Sequence, residues 1–374
     1  MIRLNSYYYG YKLLSPLTIS FHTWDFMENL IIELKYQNFT GLGEAAPFKL
    51  ITNDSREEAV NDLKKIQGLD LNPEKNSPAE LHQLLDNKLI QSPSLRAAID
   101  FAYHDLIGQA KGIPCYQLYS EHAYLVLNSV TVFIKENIEG TINEVKRIIS
   151  LYPELKVMKI KLSGEDDIER CLAIKHTTNN KNIAYTLDAN QGFDDPEKAV
   201  NTLNKIIEIL GKVILIEQPC PKDDLQKMKH VKSNIKRSMI FADESATDIR
   251  SVERIAYEQA ADGVNIKLQK CGGIYPAKKI AELCCKAGLK IMTGQMIEGP
   301  IATIASVHFA VSTQNMIITD LDMDLDLEKH INNSVDFKNG SRVPKNIPGF
   351  GLSFNDTKIK HLKEKGLLKL NRLY

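Results

Sequence analysis

The chain has 374 residues, of which 43% are hydrophobic and 25% are charged, an ordinary composition for a globular protein. Lysine and arginine total 47, as do aspartate and glutamate, so the zero net charge argues against a nucleic-acid-binding protein, which needs a basic surplus. No apolar run is long enough for a transmembrane helix, the first residues lack a signal-peptide pattern, and the six cysteines form no CxxC pair. We therefore expect a cytoplasmic protein with reduced thiols that binds neither nucleic acid nor membrane.

The first part of the chain, residues 1–122, mixes strand and helix patterns. Strand-like runs occur at 17–21 and 30–34, and helical patterns follow at about 55–67, 78–88 and 94–111. A chain of this length favours two domains, or one barrel with a companion domain. We predict an α+β domain for this region.

Residues 123–330 repeat one unit, in which a short apolar run is followed by a helical stretch. One such stretch runs from Asp195 to Leu210, with its apolar residues at helical spacing. The apolar runs are continuous, which is typical of parallel strands buried on both faces. Eight strands with seven helices predict a (β/α)7β TIM-like barrel, and a doubly wound open sheet is the alternative. The predicted strands are 128–133, 157–161, 183–188, 213–217, 239–243, 263–267, 289–293 and 316–320.

The last segment, residues 331–374, contains the turn-rich sequence IPGFG at 347–351 and no ninth βα unit. We predict that this segment returns to the N-terminal region and completes it. Both ends of the chain would then form one α+β capping domain over the barrel.

Ionisable residues end five consecutive predicted strands: Lys161, Asp188, Glu217, Asp243 and Lys267. One βα unit separates each from the next, so they recur at equivalent positions of the rim where barrel enzymes carry their chemistry. Three neighbouring carboxylates would repel one another without a cation, and Mg²⁺ prefers such oxygen ligands. We predict a magnesium site at Asp188, Glu217 and Asp243; the alternative is three salt-bridged carboxylates at a rim.

Lysines lie on both sides of these carboxylates. Lys159 and Lys161 are two residues apart on one strand, so they point to the same side, and Lys267 lies across the barrel mouth. A lysine acts as a base when its pKa falls toward neutrality, which burial, Mg²⁺ and the neighbouring ammonium of Lys159 favour. Two opposed bases could remove a proton from one face of a substrate and return it on the other. Solvated surface lysines are the alternative.

With these residues, the sequence resembles the enolase superfamily, in its muconate-lactonizing-enzyme subgroup, over nearly the whole chain. The resemblance rests on the order and spacing of GLGEAAP at 41–47, KIK at 159–161, DAN at 188–190, EQP at 217–219, ADES at 242–245 and NIK at 265–267. It implies a cap over a (β/α)7β barrel, one Mg²⁺ per subunit, and lysines that exchange the α-proton of a carboxylate substrate. It also implies that Asn190 and Glu244 orient the metal ligands.

The end of the eighth strand distinguishes the members of this subgroup, which are cycloisomerases, o-succinylbenzoate synthases, N-acyl amino acid racemases and dipeptide epimerases. Asp320 and Asp322 resemble the Asp-x-Asp of dipeptide epimerases, whose carboxylates bind the free α-ammonium of the substrate. Asp324 and Asp326 leave open a register shifted by two residues, and an acidic solvated loop is a further alternative. We expect a dipeptide epimerase; the other enzymes of the subgroup, and a barrel that binds ligand without catalysis, are the alternatives.

Further residues are expected near the substrate. Thr131 lies in the first strand and Glu298 follows the seventh. Trp24 stands where relatives that act on L-Ala-D/L-Glu often carry a cation. L-Ala-D/L-Glu is our first choice of substrate, as in murein peptide metabolism, and Trp24 leaves a broader or hydrophobic dipeptide specificity open. We also expect a homo-oligomer.

Overall fold

The computed structural model describes residues 1–19, 22–66, 68–164, 166–327, 334–352 and 368–369. An N-terminal domain built on an antiparallel sheet precedes a barrel of parallel strands. The predicted fold class is thereby confirmed. Within the described residues, no helix is both long enough and apolar enough to cross a membrane.

The N-terminal sheet is formed by strands much longer than the runs that predicted it. In this sheet β1 (Ile2–Ile19) pairs antiparallel with β2 (His22–Tyr36), and β2 pairs with β3 (Phe39–Ala45). β3 was not predicted, because glycines interrupt its strand pattern. A Cβ at Gly43 would overlap the carbonyl oxygen of Ala98 in the helix packed on the sheet, so this strand needs glycine there.

The three longer helices of this domain each begin after a serine cap. The predicted helices at 55–67, 78–88 and 94–111 are present, and the last begins at Ser92, whose hydroxyl accepts a hydrogen bond from the N–H of Leu95. It ends at Gly112, which has a φ of 68°. The remaining elements of the domain are α1 (Lys49–Thr52), α2 (Arg56–Leu63), β4 (Gly68–Leu69), α3 (Pro78–Asn87) and α4 (Pro93–Lys111).

The barrel consists of eight parallel strands that pair in the order of the chain. A bridge between Asn128 and Thr319 brings the first and last strands together, and the Thr319 N–H donates to the Leu127 carbonyl at 2.9 Å. The doubly wound open sheet, which reverses its strand order, is therefore wrong. The strands are β5 (Ser129–Val132), β6 (Val157–Lys161), β7 (Ala184–Asp188), β8 (Val213–Glu217), β9 (Met239–Ala242), β10 (Gly263–Asn265), β11 (Lys290–Gly294) and β12 (Met316–Asp320).

Amphipathic helices cover the outside of the barrel. In α7, Leu203, Ile206 and Leu210 are fully buried, and Asp195 caps the first turn by accepting from the Glu197 N–H at 2.9 Å. The helices are α5 (Ile138–Leu151), α6 (Asp167–Thr177), α7 (Pro196–Leu210), α8 (Leu225–Asn234), α9 (Ile249–Glu258), α10 (Leu268–Cys271), α11 (Ile274–Ala287) and α12 (Pro300–Val311).

The predicted strands 239–243 and 263–267 end earlier than the sequence suggested. β9 ends at Ala242 and β10 at Asn265, so Asp243 and Lys267 follow their strands instead of ending them. Lys267 directly precedes the short helix α10, at its N-cap position. The apolar Ile266 made the strand look longer, although its N–H still donates to the neighbouring strand at Met292.

The C-terminal segment contributes to both parts of the molecule. The strands β13 (Val335–Lys338) and β14 (Ser341–Pro344) form a separate hairpin, and Ser341 forms a bridge with Leu127 just before β5. The strand β15 (Leu368–Lys369) pairs with β1 and so joins the cap sheet. The predicted boundary between 330 and 331 lies outside the described residues, and the domain boundaries remain predictions.

Candidate active site

The strand register aligns the predicted site residues at the C-terminal rim of the barrel. Lys161 lies opposite Asp188, and Asp188 lies opposite Glu217, on three adjacent strands. Asp243 comes directly after the next strand, β9. All three carboxylates are fully buried. The structure therefore brings together the residues that the sequence predicted to bind a metal.

The two lysines predicted as bases approach this group from opposite sides of the barrel. Lys161 Nζ lies 2.6 Å from Asp188 Oδ2, and Lys267 Nζ lies 2.6 Å from Asp243 Oδ2. Because β10 is the fourth strand on from β6 in a barrel of eight, the two side chains start from opposite walls. The placement fits two bases on either face of a substrate, and their catalytic role remains a prediction.

Lys159 lies deeper in the site than either of these lysines. It is 1% exposed, and its Nζ lies 2.5 Å from Asp320 Oδ2, 2.9 Å from Glu217 Oε2 and 3.0 Å from Asp188 Oδ2. Burial lowers its pKa, but the three surrounding carboxylates outweigh burial and hold the pKa well above its usual value. Lys159 is therefore a buried cation that joins the predicted metal ligands to the end of β12.

The pKa of Lys267 is shifted in the direction opposite to the one a base needs. Burial lowers it, but the negative charges of Asp243 and Glu217 outweigh burial and raise it above the usual value. The expected fall of the Lys267 pKa toward neutrality is therefore absent while lysines are the only cations beside these carboxylates. A divalent cation on the same carboxylates would offset the charge that now stabilises the ammonium.

The predicted metal ligands have the chemistry of a magnesium site. Burial and the charge of Asp188 raise the pKa of Glu217 to about 8, and a hydrogen bond from Glu217 helps to lower the pKa of Asp243. Carboxylates this close without a cation repel each other, and three buried carboxylates are the donors that Mg²⁺ prefers. The donor set therefore fits Mg²⁺.

The carboxylate oxygens are held by amino and amide groups in the described structure. Lysines pair with Asp188 and Asp243, and the Asn265 Nδ2 amide donates to Glu217 Oε1 at 2.7 Å. Consistent with this pairing, no three His, Cys, Asp or Glu side chains of the described residues are arranged to hold a metal ion. Mg²⁺ would have to displace the lysine contacts in order to bind.

Asp320 and Asp322 both face the cavity at this rim. Asp320 Oδ1 accepts from the Thr131 hydroxyl at 3.2 Å, and Asp322 Oδ2 accepts from the Thr131 N–H at 2.7 Å. Asp324 instead pairs with Arg342, at 2.8 and 2.6 Å. This pairing favours the Asp-x-Asp at 320 and 322 over one shifted by two residues; the side chain of Asp326 is outside the described residues.

Asn190 and Glu244 lie behind the predicted metal ligands. The Asn190 N–H donates to Asp188 Oδ1 at 3.0 Å, and its side-chain Oδ1 accepts from Lys161 Nζ at 3.1 Å. Its Nδ2 amide donates to Glu244 Oε1 at 3.2 Å. Burial and the charge of Asp243 raise the pKa of Glu244 to about 7. Asn190 can therefore hold a predicted ligand and a predicted base in one arrangement.

Two residues expected to contact the substrate, Glu298 and Trp24, are not among the described residues that line the cavity. Glu298 is fully buried behind the rim and does not line the cavity; its Oε1 accepts from the Met296 N–H at 2.7 Å. Burial raises its pKa to about 8. The backbone of Trp24 pairs with Leu17 in the cap sheet, and its side chain lies outside the described residues.

Two residues of α10 support the site, and sequence reasoning missed both. Lys270 is buried, and its Nζ donates to the carbonyl oxygen and to Oδ1 of Asp243, at 2.6 and 2.5 Å. The Gln269 Nε2 amide donates to the Glu44 carbonyl at 2.8 Å, and its Oε1 accepts from the Ala46 N–H at 3.2 Å. The available signals were a second lysine and a glutamine, Lys270 and Gln269, close after Lys267 in the sequence. α10 thus joins the predicted base Lys267 to the cap and to a predicted metal ligand.

The site opens into a cavity between the cap and the barrel. Its wall combines the charged residues of the rim with apolar side chains from both domains. The lining residues are Phe48, Ile51, Thr131, Phe133, Lys159, Lys161, Asn190, Lys267, Gln295, Met296, Ile297, Asp320, Asp322 and Met323.

Two family profiles together match most of the chain. One, for the mandelate racemase / muconate lactonizing enzyme N-terminal domain, matches residues 7–119. The other, described as enolase C-terminal domain-like, matches residues 141–358.

The most similar characterised proteins include epimerases and racemases. The hydrophobic dipeptide epimerase of Enterococcus faecalis is 31% identical over 85% of this chain and 88% of its own length. The L-Ala-D/L-Glu epimerase of Bacillus subtilis is 30% identical over 94% of this chain and 96% of its own. The N-succinyl-L-Arg/Lys racemase of Bacillus cereus is 29% identical over 94% of each.

Solved structures of two of these proteins share the fold. The Enterococcus faecalis dipeptide epimerase, in complex with Mg and L-Leu-L-Tyr, has a TM-score of 0.84 and 30% identity, over 94% of this chain and 99% of that chain. The substrate-liganded Bacillus subtilis L-Ala-D/L-Glu epimerase has a TM-score of 0.82 and 28% identity, over 94% and 98%.

Proposed function

The chain belongs to the enolase superfamily, in its mandelate racemase and muconate lactonizing enzyme group, and from this membership we propose that it is a magnesium-dependent dipeptide epimerase. The observation that carries the proposal is one cavity that contains both a pair of opposed lysines and the carboxylates of Asp320 and Asp322. The lysines provide the proton chemistry, and the two carboxylates provide a binding site for a free α-ammonium.

In this proposal, Lys161 and Lys267 exchange the α-proton of the C-terminal residue of the dipeptide. One lysine removes the proton from its face of the α-carbon, and the other returns a proton to the opposite face, which inverts the centre. Asp188, Glu217 and Asp243 would hold Mg²⁺, which when bound supplies positive charge for a substrate carboxylate. Lys159, in contact with Glu217 and Asp320, would orient the substrate between these groups.

The N-terminus of the dipeptide would bind at the end of β12. Asp320 and Asp322 are almost completely buried, and Thr131 holds one oxygen of each. Carboxylate oxygens accept hydrogen bonds from a –NH₃⁺ group. An N-acyl amino acid has no such cation and would place an uncharged acyl group against these buried carboxylates. This argument favours a dipeptide over the N-acyl substrate of a racemase and over the substrate of a synthase or cycloisomerase.

Family membership leaves the side chains of the dipeptide open. By their names, similar proteins act on hydrophobic dipeptides, L-Ala-D/L-Glu and L-Lys-D/L-Arg. L-Ala-D/L-Glu, our first choice from the sequence, needs a cation for the glutamate side chain. The cytoplasmic location, the homo-oligomer and the place in murein peptide metabolism remain predictions.

Exchange of the α-proton tests this proposal directly. The protein would be incubated with Mg²⁺ in D₂O with a panel of L,L-dipeptides, and the α-proton of the C-terminal residue followed by NMR. We expect deuterium incorporation together with the L,D epimer. The N-acetylated form of each dipeptide is the matched control and should exchange far more slowly. Absence of exchange in every dipeptide would refute the proposed function.

A further inference from the structure

The uncharged part of the cavity wall is mostly apolar. Its apolar residues are Phe48 and Ile51 of the cap and Phe133, Met296, Ile297 and Met323 of the barrel. A charged substrate side chain placed against such a wall would lose its hydration without gaining a partner. An apolar side chain would instead gain free energy in proportion to the surface that it buries.

The charged residues of the wall already have partners. Lys161 and Lys267 each lie 2.6 Å from a carboxylate, and Lys159 contacts three. Asp320 and Asp322 accept hydrogen bonds from Thr131. No other lysine, arginine, aspartate or glutamate lines the cavity among the residues that the structure describes. The described wall therefore has no cation beyond the three lysines of the site for a glutamate side chain, and its two carboxylates are those assigned to the substrate ammonium.

The order of the strands divides five of these six apolar residues into two surfaces. Phe133 directly follows β5 and Met323 follows β12; these strands are neighbours across the barrel closure, and Asp320 ends β12. We name Phe133 and Met323 the amino-side surface. An N-terminal residue held through its ammonium at Asp320 and Asp322 would place its side chain there.

The second surface lies on the side of Lys267. Ile297 follows β11, the neighbour of the strand β10 that precedes Lys267, and α1, whose Ile51 lines the cavity, packs against α10. We name Phe48, Ile51 and Ile297 the carboxyl-side surface. The residue whose α-carbon lies between the two lysines would place its side chain there.

The cap part of the carboxyl-side surface is held in place by a buried aspartate. Asp54, 2% exposed, accepts from the Ser94 hydroxyl at 2.6 Å and from the Thr52 hydroxyl at 2.5 Å. The Phe48 N–H in turn donates to the Thr52 hydroxyl oxygen at 2.8 Å. The turn that carries Phe48 and Ile51 is thereby fixed to the start of α4, so this wall is formed before the substrate binds.

From this arrangement we infer that the substrate of this site is a dipeptide with an apolar side chain on both residues, each received by one of the two surfaces. This inference rests on the proposed function and names its substrate class. The amino-side surface selects the N-terminal side chain, and the carboxyl-side surface selects the side chain of the residue that is inverted.

Wild-type kcat/KM values give the first test, with L-Ala-L-Leu and L-Leu-L-Ala as apolar substrates and L-Ala-L-Glu and L-Ala-L-Lys as charged ones. We expect both apolar dipeptides to exceed both charged ones by at least about tenfold, the scale of pocket discrimination. Equal or better values for a charged dipeptide would overturn the inference and leave epimerase function intact. No exchange in any dipeptide would instead refute the proposed function.

Two variants test the assignment of the surfaces. Ile51→Ala should lower kcat/KM for L-Ala-L-Leu by about tenfold or more and change L-Leu-L-Ala little, and Phe133→Ala should do the reverse. Equal losses on both substrates in either variant would overturn the two-surface assignment.

A charge placed on the carboxyl-side surface gives the sharpest contrast. Ile51→Arg should raise kcat/KM for L-Ala-L-Glu relative to L-Ala-L-Leu by at least about tenfold. Leu50→Arg is the matched control, since Leu50 is the adjacent residue, is 61% exposed and does not line the cavity. An equal change of preference in the two variants would contradict the assignment of Ile51. Circular dichroism checks that each variant folds. The comparison of substrates on the wild-type protein does not depend on any variant.

Discussion

Lys270 holds Asp243 through two of its oxygens, with its Nζ 2.5 Å from Oδ1 and 2.6 Å from the backbone carbonyl oxygen. Lys267 occupies the other carboxylate oxygen, at 2.6 Å. The contact with Lys267 would have to break for Asp243 to bind a cation through that oxygen. Lys270 can therefore fix the orientation of a predicted metal ligand without occupying the oxygen that would bind the cation.

Lys270→Met should weaken Mg²⁺ binding by about 10- to 100-fold, the usual effect of losing a group that orients a ligand. It should also destabilise the metal-free protein, because one partner of a buried ion pair is removed, at a cost of about 3–5 kcal/mol. Isothermal titration with Mg²⁺ and urea unfolding measure the two effects. Lys279→Met, at an exposed position of α11, is the matched control. Unchanged Mg²⁺ affinity in Lys270→Met would show that Lys270 does not position Asp243.

Glu217→Gln should abolish metal binding, because Glu217 lies between the other two predicted ligands and an amide is a weaker ligand for Mg²⁺ than a carboxylate. The variant also removes a carboxyl group whose pKa is raised to about 8 by burial and by the charge of Asp188, so the metal-free variant should fold at least as stably as the wild type. Elemental analysis and urea unfolding check both points. Metal content equal to that of the wild type would contradict the assignment of Glu217.

Asp320→Asn should lower kcat/KM for a dipeptide by at least about 100-fold, since it removes a buried charge that pairs with both Lys159 and the proposed substrate ammonium. The same change should affect the N-acetylated dipeptide much less. Asp336→Asn, on the C-terminal hairpin, is the control. Equal losses on free and acetylated substrates would show that Asp320 does not recognise the substrate N-terminus.

Glu298 should make the stability of the protein depend on pH. Burial raises its pKa from 4.5 to about 8, so the folded protein retains a proton that the unfolded chain releases. The folded state binds more protons across this window, and the free energy of unfolding therefore falls as pH rises from about 5 to about 8.

Glu298→Gln removes this titrating proton, so its free energy of unfolding should fall less steeply across the same pH range. Urea unfolding of the metal-free wild type and variant, at several pH values, measures the difference between the two slopes. Glu282→Gln, at an exposed site on α11, should keep the wild-type slope. Parallel curves for wild type and Glu298→Gln would contradict a raised pKa at Glu298.

The barrel could be predicted from the sequence because each strand is a short apolar run and the rim residues recur once per βα unit. Lys161, Asp188 and Glu217 end their strands as expected, since the parallel register aligns them. Parts of β1 and β2 were predicted, but their full length and the whole of β3 were missed, because the ends of the long strands and the glycines of β3 carry no strong strand signal. Glycine in β3 serves close packing with α4, a tertiary requirement that local propensity does not contain.

The missed parts of the site depend on contacts between residues far apart in the chain. Asp322 and Asp324 are equivalent in the sequence pattern, and only the pairing of Asp324 with Arg342 separates them. Gln269 meets the cap at Glu44, which is likewise distant in sequence. The sequence pattern extends the predicted strand to Lys267, because the helix α10 that follows it is too short to show a helical periodicity.

The central claim, that two opposed lysines each serve one face of the α-carbon, is tested most directly by α-proton exchange of separate L,L and L,D epimers in D₂O. Lys161→Ala and Lys267→Ala should each lose epimerisation by more than the 10²- to 10⁴-fold typical of a general base, because no donor remains on the empty face. Each variant should still exchange the α-proton of one epimer with retention of configuration, and the two variants should exchange opposite epimers. Epimerisation at near wild-type rates in both variants, or exchange of the same epimer by both, would contradict the two-base account.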